Sequence, residues 1–435
     1  SPSGSTLSKP KYDEAVSALF AQLPMFQREG PAAYKADLSA TKQVCAAIGN
    51  PEQRLKFVHV AGTNGKGTVC HMVAAVLQQA GLRVGLFTSP HLVDFRERIR
   101  INGECISEAA VIDFVDRWQA GDDDWGTPSF FELTFAMAMD EFERQGCDLV
   151  VLETGMGGRL DSTNVIPTKE VAVVTNIGLD HQAFLGPDIR SIAREKGGIF
   201  KEGVPVVLGA MRPEAQSELL AAALKTSNEV HFAQDFSRAY ARFTNDGDSF
   251  VVKANLGTAY AALHVLKQRG WVWSNQALSD GLANHASLTG QFGRWQCIEL
   301  PSRPLVVLDG AHNLDGISKT VEELRRSAEH RGGALHIVWG AVADKDPSAV
   351  MALLPEGATY WWCAADIPRA MAPNLVASVR SELRGEIMGS PLEALDGALA
   401  HGAKEDVVWV GGSLFVVGDV LRDAPGSIEG WPLMK

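Results

Sequence analysis

The sequence predicts a two-domain α/β protein. From residue 54 onward, short apolar runs alternate with longer amphipathic segments, as in strand-helix-strand folds. A glycine-rich stretch, Gly62–Gly67, connects the first apolar run directly to a helix-like pattern. The chain has 435 residues, which is more than one hydrophobic core usually accommodates. A doubly wound α/β domain followed by a second, smaller α/β domain is the fold class these observations favour.

The apolar runs of the first domain are nearly continuous, which is typical of parallel strands covered on both faces. They lie at 54–61, 82–89, 147–154, 170–177 and 204–209. Helices are predicted between them, with Ser107 as a start signal and with Gly81 and Gly146 as stop signals. These helices lie at 66–80, 107–119, 129–145 and 188–200.

A second alternating series follows a stretch rich in Gly, Gln and Pro between Leu288 and Pro304. Its apolar runs include LVVLD, LHIVWG, TYWWC and VVWVGG, with a long helix-like segment after the first. We place the boundary near residue 295, which gives domains 1–295 and 296–435. A cleft between two α/β domains is a common place for a substrate.

Charge and cysteine usage exclude several classes of protein. The formal net charge of −12 argues against a nucleic-acid binder that relies on a basic surface. The six cysteines form no C-x-x-C pair, which indicates reduced thiols, and no apolar run approaches the ~18 residues that span a bilayer. The polar N-terminal stretch SPSGSTLSKPK lacks the apolar core of a secretory signal. We therefore expect a cytoplasmic protein that binds neither nucleic acid nor membranes.

The stretch AGTNGKGT predicts a phosphate-binding loop. Its backbone N–H groups and the following helix N-terminus favour phosphate oxygens, and Lys66 adds a full positive charge. Thr68 stands where a hydroxyl can bind a nucleotide-bound Mg²⁺. The spacing is unusual, because Gly67 separates the lysine from the threonine. A glycine-rich turn without a ligand is the weaker alternative, and the spacing does not distinguish ATP from GTP.

Polar side chains follow several predicted strands, where α/β sheets place functional groups. Glu153 ends one strand, and Asp180 and His181 follow another, so a metal site beside the nucleotide is plausible. Ser89 follows the second strand and could reach the same metal. The alternatives are a structural carboxylate that caps backbone groups and an ordinary loop histidine.

Two further segments have open interpretations, and a third motif is rejected. Lys196, on an apolar helix, either pairs with Glu195 or contacts a phosphate. Within the stretch 88–103, the residues Phe95, Arg96, Glu97 and Arg98 are interpreted as a mobile loop or a solvated basic face. The run G-M-G-G-R-L is rejected as a dinucleotide fingerprint, because Leu160 stands where the third glycine is needed.

Taken together, the ordered motifs resemble the folylpolyglutamate synthase/dihydrofolate synthase family, a branch of the Mur-ligase superfamily of ATP-dependent amide-forming enzymes. The resemblance covers most of the chain. The motifs that carry it are G-T-N-G-K-G-T, T-S-P-H-L-x-x-F-x-E-R-I, V-L-E-x-G-x-G-G-R-L-D-x-T-N, T-x-I-G-x-D-H-x-x-x-L-G, R-E-K-x-G-I-F, G-R-W-Q, D-G-A-H-N and a late G-S-L. It implies a phosphate-loop ATPase domain of the Mur-ligase type and a smaller, Rossmann-like C-terminal domain.

The resemblance also implies roles for individual residues. Lys66 would contact the transferring γ-phosphoryl group, Lys196 would carry a carbamate, and His312 would serve catalysis or glutamate. The implied ATP contacts are Thr63, Asn64, Gly65, Lys66, Gly67, Thr68, Asn255, Arg294 and Asp309. The implied magnesium ligands, for two ions, are Thr68, Ser89, Glu153 and His181. The implied folate and glutamate contacts are Ser129, Phe130, Leu160, Asp161, Ser162 and Ser413, with the segment around Asp37 and Leu38.

The reaction implied by the resemblance is the ATP-dependent addition of L-glutamate to dihydropteroate and to the γ-carboxylate of tetrahydrofolate, through an acyl phosphate. The implied enzyme is a bifunctional, monomeric carbon–nitrogen ligase. Chain extension alone, a cell-wall Mur-type amino-acid ligase and a regulatory ATPase without ligation are the alternatives. Leu314 replaces a proline that is common in the family, and the region before Leu55 matches least clearly.

Overall fold

A computed structural model describes residues 8–22, 37–121, 123–226 and 229–433. The first seven residues, and with them most of the N-terminal stretch predicted to lack a signal, lie outside this description. The chain forms two compact units. The first comprises Ser1–His91 and Phe95–Gly290, and the second comprises Leu92–Asp94 and Gln291–Lys435.

The first unit is built on an eight-stranded sheet with the order β4-β3-β2-β5-β1-β6-β7-β8. The strands from β2 to β8 in this order pair in parallel, whereas β3 and β4 add antiparallel to the β2 edge. Their bounds are β1 Phe57–Ala61, β2 Val84–Phe87, β3 Ile99–Ile101, β4 Glu104–Cys105, β5 Leu149–Glu153, β6 Val171–Val174, β7 Val206–Leu208 and β8 Val230–Phe232.

Alternate residues of the central strands enter two different hydrophobic cores. Val58 and Val60 of β1 pack in one core, while Phe57 packs in the other. In β5, Val151 packs in the same core as Val58 and Val60, while its neighbour Val150 packs in the core of Phe57. Because successive side chains of a strand point to opposite faces, helices must cover both faces of this sheet.

The helices of the first unit begin at recognisable caps. The hydroxyl of Ser107 accepts a hydrogen bond from the N–H of Ala110, and Ser129 forms a capping box with Glu132. The predicted helices coincide with observed ones within a few residues. The helices are Ser8–Phe20, Ser39–Ala47, Lys66–Gln79, Glu108–Ala120, Phe130–Arg144, Gln182–Leu185, Ile189–Gly197, Pro213–Lys225, Ser237–Tyr240, Phe250–Gln268, Asn275–Ala283 and His285–Thr289.

The second unit contains a six-stranded sheet with the order β13-β12-β11-β14-β10-β9, in which only β9 is antiparallel to its neighbour. Its strands are β9 Gln296–Ile298, β10 Leu305–Leu308, β11 Leu335–Trp339, β12 Thr359–Trp362, β13 Gly385–Ile387 and β14 Val407–Gly411. Its helices are Leu314–Arg331, Ser348–Met351, Pro373–Val379, Pro391–His401 and Leu414–Asp423. The predicted fold class, two α/β units with the smaller one second, is confirmed.

The interpretation of Phe95–Arg98 as a mobile loop or a solvated basic face is wrong. Residues Phe95–Arg98 form a 3₁₀ turn that leads into β3, and Phe95, Arg98 and Arg100 are buried. The antiparallel pairing of β3 with β2 holds this segment against the sheet. Basic residues in a sequence therefore do not by themselves indicate a solvated face.

Across the described ranges, the helices are all too short or too polar to cross a lipid bilayer.

Candidate active site

The glycine-rich loop connects β1 to the helix Lys66–Gln79, as predicted. Gly62 has φ +149° and Gly65 has φ +79°, values that side-chain-bearing residues rarely adopt. A Cβ atom at Gly62 would collide with the Thr175 side chain, and one at Gly65 would collide with the Asn255 carboxamide. Both glycines are therefore required by conformation and by close packing.

The residues that follow β6 brace this loop. The N–H of Thr63 donates to the carbonyl of Asn176 (3.0 Å), and the N–H of Asn64 donates to Oδ1 of Asn176 (2.9 Å). The hydroxyl of Thr175 donates to the carbonyl of Asn64 (2.6 Å). The hydroxyl of Thr63 accepts from the N–H of Gly178 at 2.8 Å. The loop is thus a preformed part of the sheet edge.

Two lysines converge on one loop carbonyl. The carbonyl oxygen of Gly62 accepts from Nζ of Lys66 at 2.9 Å and from Nζ of Lys196 at 3.1 Å. Lys196 is buried, and its pKa is lowered to about 7 by that burial and by the charge of Lys66, against the opposing effects of Asp180 and Asp161. Lys196 does not pair with Glu195, which binds Arg159 instead. A substantial fraction of neutral amine is therefore present near neutral pH.

Glu153 ends β5 beside the loop. Its Oε2 accepts from the backbone N–H of Ser89 at 3.2 Å, and its carboxylate would lie 3.6 Å from a Cβ at Gly67. Glu153 is buried, whereas Ser89 and Thr68 are half-buried and His181 is exposed. His181 adopts a left-handed backbone conformation with φ +48°, one residue after Asp180.

The donor set at this edge suits a magnesium ion that also binds phosphates. Mg²⁺ typically uses one or two carboxylates, retains waters and takes its remaining oxygens from a nucleotide. The predicted set offers one carboxylate, from Glu153, and two hydroxyls, from Thr68 and Ser89. Within the described ranges, no three His, Cys, Asp or Glu side chains form a group that could hold a metal ion without a further ligand.

Asp161 organises the loop after β5. Its Oδ1 accepts from the N–H groups of Gly155 and Met156, both at 2.9 Å, and its Oδ2 accepts from the N–H of Thr163 at 3.1 Å and from the Thr163 hydroxyl. Burial raises the pKa of this carboxyl, against the lowering effect of these bonds. Asp161 is thus held by the loop that it shapes.

The other predicted substrate residues of the first unit lie around this loop. The hydroxyl of Ser162 accepts from Oγ1 of Thr41 at 3.4 Å, and Leu160 is half-buried. Ser129 caps the helix that begins at Phe130. Asp37 and Leu38 precede the helix Ser39–Ala47, but the residues before 37 lie outside the described part of the chain.

A cavity of about 420 Å³ lies beside the helix Phe250–Gln268. Lys253 and Ala254 line it, and the next residue, Asn255, packs against Gly65 of the loop. The remaining lining residues are Ala210, Ala233, Gln234, Ser237, Tyr240, Ala241, Thr244 and Phe250.

The predicted residues of the second unit gather after β10. Asp309 is buried, and its oxygens accept from the N–H groups of Ala311 (2.8 Å) and Trp295 (2.9 Å). Burial raises the pKa of Asp309, and the charge of nearby Arg294 lowers it. Nδ1 of His312 contacts the carbonyl of Gly310 at 3.1 Å.

Ser413 belongs to the same neighbourhood. Its hydroxyl accepts from the N–H of Val416 at 3.2 Å and caps the helix Leu414–Asp423. A Cβ at Gly310 would collide with Leu414, so the loop after β10 packs against the start of this helix.

The sequence did not single out the residues that brace the loop, although Thr175 and Asn176 stand at the carboxyl end of the predicted strand 170–177. That position was the available signal. A buried chain of hydrogen bonds was also missed: Lys169 donates to Nδ1 of His59 (2.7 Å), whose Nε2 lies 2.8 Å from the hydroxyl of Thr163. No local pattern distinguishes these residues.

Two family models match the chain. The Mur ligase middle domain matches residues 60–265, and the Mur ligase glutamate ligase domain matches residues 293–414.

Curated relatives match across most of the chain. A probable bifunctional folylpolyglutamate synthase/dihydropteroate synthase of Haloferax volcanii is 34% identical over 94% of this chain, which spans only 50% of that longer protein. A dihydrofolate synthase/folylpolyglutamate synthase of Escherichia coli K12 is 35% identical, with 83% of this chain and 85% of that one aligned.

Solved structures agree with these matches. E. coli FolC in complex with DHPP and ADP superposes with a TM-score of 0.79 at 29% identity, covering 95% of this chain and 98% of that one. A bifunctional folylpolyglutamate synthase/dihydrofolate synthase with Mn, AMPPNP and L-glutamate bound gives a TM-score of 0.75 at 29% identity, covering 90% and 95%. With the phosphate loop, Glu153 and Lys196 at one sheet edge, these matches lead to one conclusion: the chain belongs to the folylpolyglutamate synthase/dihydrofolate synthase family of Mur ligases.

Proposed function

We propose that this chain is an ATP-dependent ligase that joins L-glutamate to dihydropteroate and to the γ-carboxylate of tetrahydrofolate. The observation that carries the proposal is the convergence of Lys66 and Lys196 on the carbonyl of Gly62, with Glu153 beside the same loop. The relatives' names and the ligands in their solved structures, DHPP, ADP, AMPPNP and L-glutamate, support it.

In this proposal, ATP binds along the loop 63–68. Backbone N–H groups and the helix N-terminus hold its phosphates, and Lys66 neutralises the γ-phosphoryl group as it is transferred. The cavity beside Asn255 takes the base and ribose, because it lies next to the loop and has the aromatic wall of Tyr240 and Phe250. The resemblance to this family also implies nucleotide contacts by Arg294 and Asp309.

Thr68, Ser89, Glu153 and His181 would hold two divalent cations together with the phosphates. Such ions neutralise charge on the phosphoryl oxygens during transfer. The half-buried hydroxyls and the single buried carboxylate suit ions that share their coordination with a nucleotide.

Lys196 carries a carbamate in the working enzyme. A lysine must be neutral to attack CO₂, and burial lowers the pKa of Lys196 to about 7. The product is an anion where a cation stood, beside Lys66. This exchange removes the repulsion between two positive charges at one carbonyl and adds an oxygen ligand for the metal site.

The folate lies against Ser129, Phe130, Leu160, Asp161 and Ser162, and glutamate lies near His312 and Ser413. The substrate carboxylate attacks the γ-phosphorus, ADP leaves, and an acyl phosphate forms. The glutamate amine then attacks the acyl carbon, and the tetrahedral intermediate expels phosphate.

His312 is suited to take the proton that the glutamate ammonium must lose. Its Nδ1 faces the carbonyl of Gly310, which assigns the proton to Nδ1 and the acceptor role to Nε2. Exclusion of water protects the acyl phosphate from hydrolysis in this scheme.

We place the functional boundary near residue 295 and expect a cytoplasmic monomer. The compact units divide between residues 290 and 291, and the second family match starts at 293, which supports a boundary in this stretch.

A coupled assay of ADP release tests the proposal. With ATP and Mg²⁺ present, ADP should form only when glutamate and a pteroate or folate are both added. Stimulation by dihydropteroate and by tetrahydrofolate supports the bifunctional enzyme. Stimulation by tetrahydrofolate alone indicates chain extension only.

Two other outcomes would overturn it. ADP release that does not depend on folate and glutamate would indicate a regulatory ATPase. Stimulation by a UDP-sugar peptide, and not by folates, would indicate a cell-wall ligase.

A further inference from the structure

Three side chains in the interior of the first unit form a continuous line of hydrogen bonds to which the proposed reaction scheme gives no role. They are Lys169, His59 and Thr163, and we call them the buried network. Nζ of Lys169 lies 2.7 Å from Nδ1 of His59, and Nε2 of His59 lies 2.8 Å from the hydroxyl of Thr163. All three residues are at most 2% exposed, so solvent does not compete for these bonds.

The donors of the buried network all point the same way, toward Asp161. Three backbone N–H groups, which can only donate, converge on the Asp161 carboxylate, and its Oδ2 also accepts the hydroxyl proton of Thr163. That hydroxyl must then accept from Nε2 of His59. Burial and the charges of Lys169 and Lys201 lower the pKa of His59 well below its usual range, so the ring is neutral and its Nδ1 accepts from Lys169.

The other end of the buried network holds the helix that carries Lys196. Nζ of Lys169 also donates to the carbonyl of Ile199, at 2.6 Å. Ile199 lies just after that helix, and its own N–H donates to the carbonyl of Lys196 at 3.3 Å. A Cβ at Gly158 would collide with the same carbonyl of Lys196, so the loop after β5 packs directly on the helix end. Lys169 therefore joins the helix end to the loop that Asp161 organises.

A buried lysine is an unfavourable way to hold two backbone segments together. Both acceptors of Lys169, a ring nitrogen and a carbonyl oxygen, are uncharged. Burial and the charge of Lys201 lower the pKa of Lys169 well below its usual range, so the surroundings disfavour its cation. An apolar side chain of similar length would fill this space without that penalty. Stability alone therefore does not explain a lysine at this position, whereas a fixed geometry between the two segments does.

We propose that His59 and Lys169 are positioning residues of the ligation, which act through Thr163 and Asp161. They hold the loop after β5 at a fixed place relative to Lys196, so that folate bound to this loop keeps one orientation toward the γ-phosphoryl group. This inference rests on the proposed function, which places folate on this loop, and adds to it two residues that touch no substrate. A misplacement of ~1 Å can cost on the order of a hundredfold in rate, so a loosened loop should be visible in the kinetics.

The test compares substitutions of matched shape in the full chain, with folate-dependent ADP release as the assay. Thr163→Val removes the hydroxyl that joins His59 to Asp161, whereas Thr163→Ser keeps it. Thr163→Val should lower kcat/KM for the folate on the order of tenfold, mainly through a higher KM, because the loosened loop must be ordered when folate binds. Thr163→Ser should recover most of this loss. Lys169→Met, which interrupts the network at its far end, should lower kcat/KM for the folate as Thr163→Val does.

Thr289→Val is the matched control. Thr289 is fully buried, and its hydroxyl lies 2.8 Å from Nδ1 of a second buried histidine, His71. This pair joins the helices Lys66–Gln79 and His285–Thr289 instead of the loop after β5. In urea unfolding, Thr289→Val should lose about as much stability as Thr163→Val, while its kcat/KM for the folate stays that of the wild type. The Kd for AMPPNP should be unchanged in every variant.

Two results would overturn the inference. The first is a Thr163→Val variant that loses stability as Thr289→Val does but keeps the wild-type kcat/KM for the folate. The second is a Thr163→Ser variant that loses as much kcat/KM as Thr163→Val, because the methyl group and not the hydroxyl would then matter. The Thr163 variants decide the question even where Lys169→Met does not fold. If no folate stimulates ADP release by the wild-type chain, the proposed function has failed instead.

Discussion

Lys196 is a buried side chain, and its surroundings disfavour its ordinary charged form. It donates to the carbonyl of Gly62 and lies near the charge of Lys66. The folded chain therefore binds the Lys196 proton less tightly than the unfolded chain does. This strain is the expected cost of a functional group, because burial that lowers stability also prepares an amine for chemistry.

The strain predicts a pH-dependent stability change in Lys196→Met. The loss of folding stability caused by Lys196 is fully present below pH 7. It disappears as the pH rises from 7 toward 10.5, because between these two values the unfolded chain still holds a proton that the folded chain has lost. In CO₂-free buffer, the variant should be more stable than the wild type at pH 6–7, by up to about 1.4 kcal/mol per unit of pKa displacement. Urea unfolding at pH 6, 7, 9 and 10 measures the difference. A difference that is independent of pH would contradict this account.

Activity gives a separate test of the carbamate. Lys196→Ala should lose nearly all folate-dependent ADP release, and small carboxylic acids such as formate or acetate should restore part of it by replacing the missing anion. The folded state is checked by AMPPNP binding. Unchanged folate-dependent activity in Lys196→Ala would contradict the carbamate proposal.

Gly65 and Gly81 form a matched pair of glycines with similar backbone angles, φ +79° and +86°. A Cβ at Gly65 collides with Asn255, whereas one at Gly81 has no atom within 4 Å. Gly81→Ala should therefore cost only the strain of its left-handed backbone, about 1–2 kcal/mol. Gly65→Ala should in addition lower AMPPNP affinity at least tenfold, measured by calorimetry. Equal AMPPNP affinities in the two variants would show that the contact with Asn255 is unimportant.

At the scale of elements, the loop after β5 is shaped by one carboxylate. Asp161 collects two backbone N–H groups with one oxygen and a third N–H with the other. Asn164 then ties the same loop to the carbonyls of Arg159 (3.1 Å) and Gly198 (3.0 Å). The loop is thereby fixed to the end of the helix that carries Lys196.

Asp161→Asn should loosen this loop. An amide presents one NH₂ group to donors that need an acceptor, so we expect a loss of about 1–3 kcal/mol in unfolding free energy. The KM for the folate should rise while AMPPNP affinity stays constant. The control is Asp188→Asn, an exposed helix cap at which asparagine is equally suitable, and it should change stability by only a few tenths of a kcal/mol. An unchanged KM in Asp161→Asn would remove this loop from the substrate site.

At the scale of the molecule, the two units have separate hydrophobic cores. Leu266 is fully buried in a core of the first unit, and Trp409 is fully buried in a core of the second. Cores that share no residues can lose their packing in separate steps.

Calorimetry should resolve this division. Leu266→Ala should lower the unfolding free energy of one transition by about 2–5 kcal/mol. Trp409→Ala should lower the unfolding free energy of the other by about 3–5 kcal/mol. AMPPNP with Mg²⁺ should raise the midpoint temperature of the transition that Leu266→Ala destabilises, because the phosphate loop belongs to the first unit. A single transition shifted equally by both substitutions would show that the two units unfold as one.

The regular parts of the fold were predictable because they are periodic. Runs such as 147–154 and 170–177 are apolar throughout, and buried parallel strands require that pattern. The short edge strands β4, β8 and β13 were not predicted, because two or three residues are too few for a period. The burial of Arg98 was missed as well, since it depends on rings that lie more than 30 positions away in the sequence.

The sequence by itself determined the family, the ligase class and the α/β architecture, because ordered motifs and apolar periodicity are local properties of the chain. It also located Lys66, Glu153 and Lys196 as candidates, since a glycine-rich loop, a carboxylate at a strand end and a family motif can each be recognised in the sequence. Only the tertiary structure decided that Lys196 is buried against Gly62, that Asn255 packs on Gly65 and that Nη1 of Arg98 has no hydrogen-bond partner among the described residues. Burial, pKa and hydrogen-bond satisfaction depend on neighbours from distant parts of the chain, and only folding brings those neighbours together.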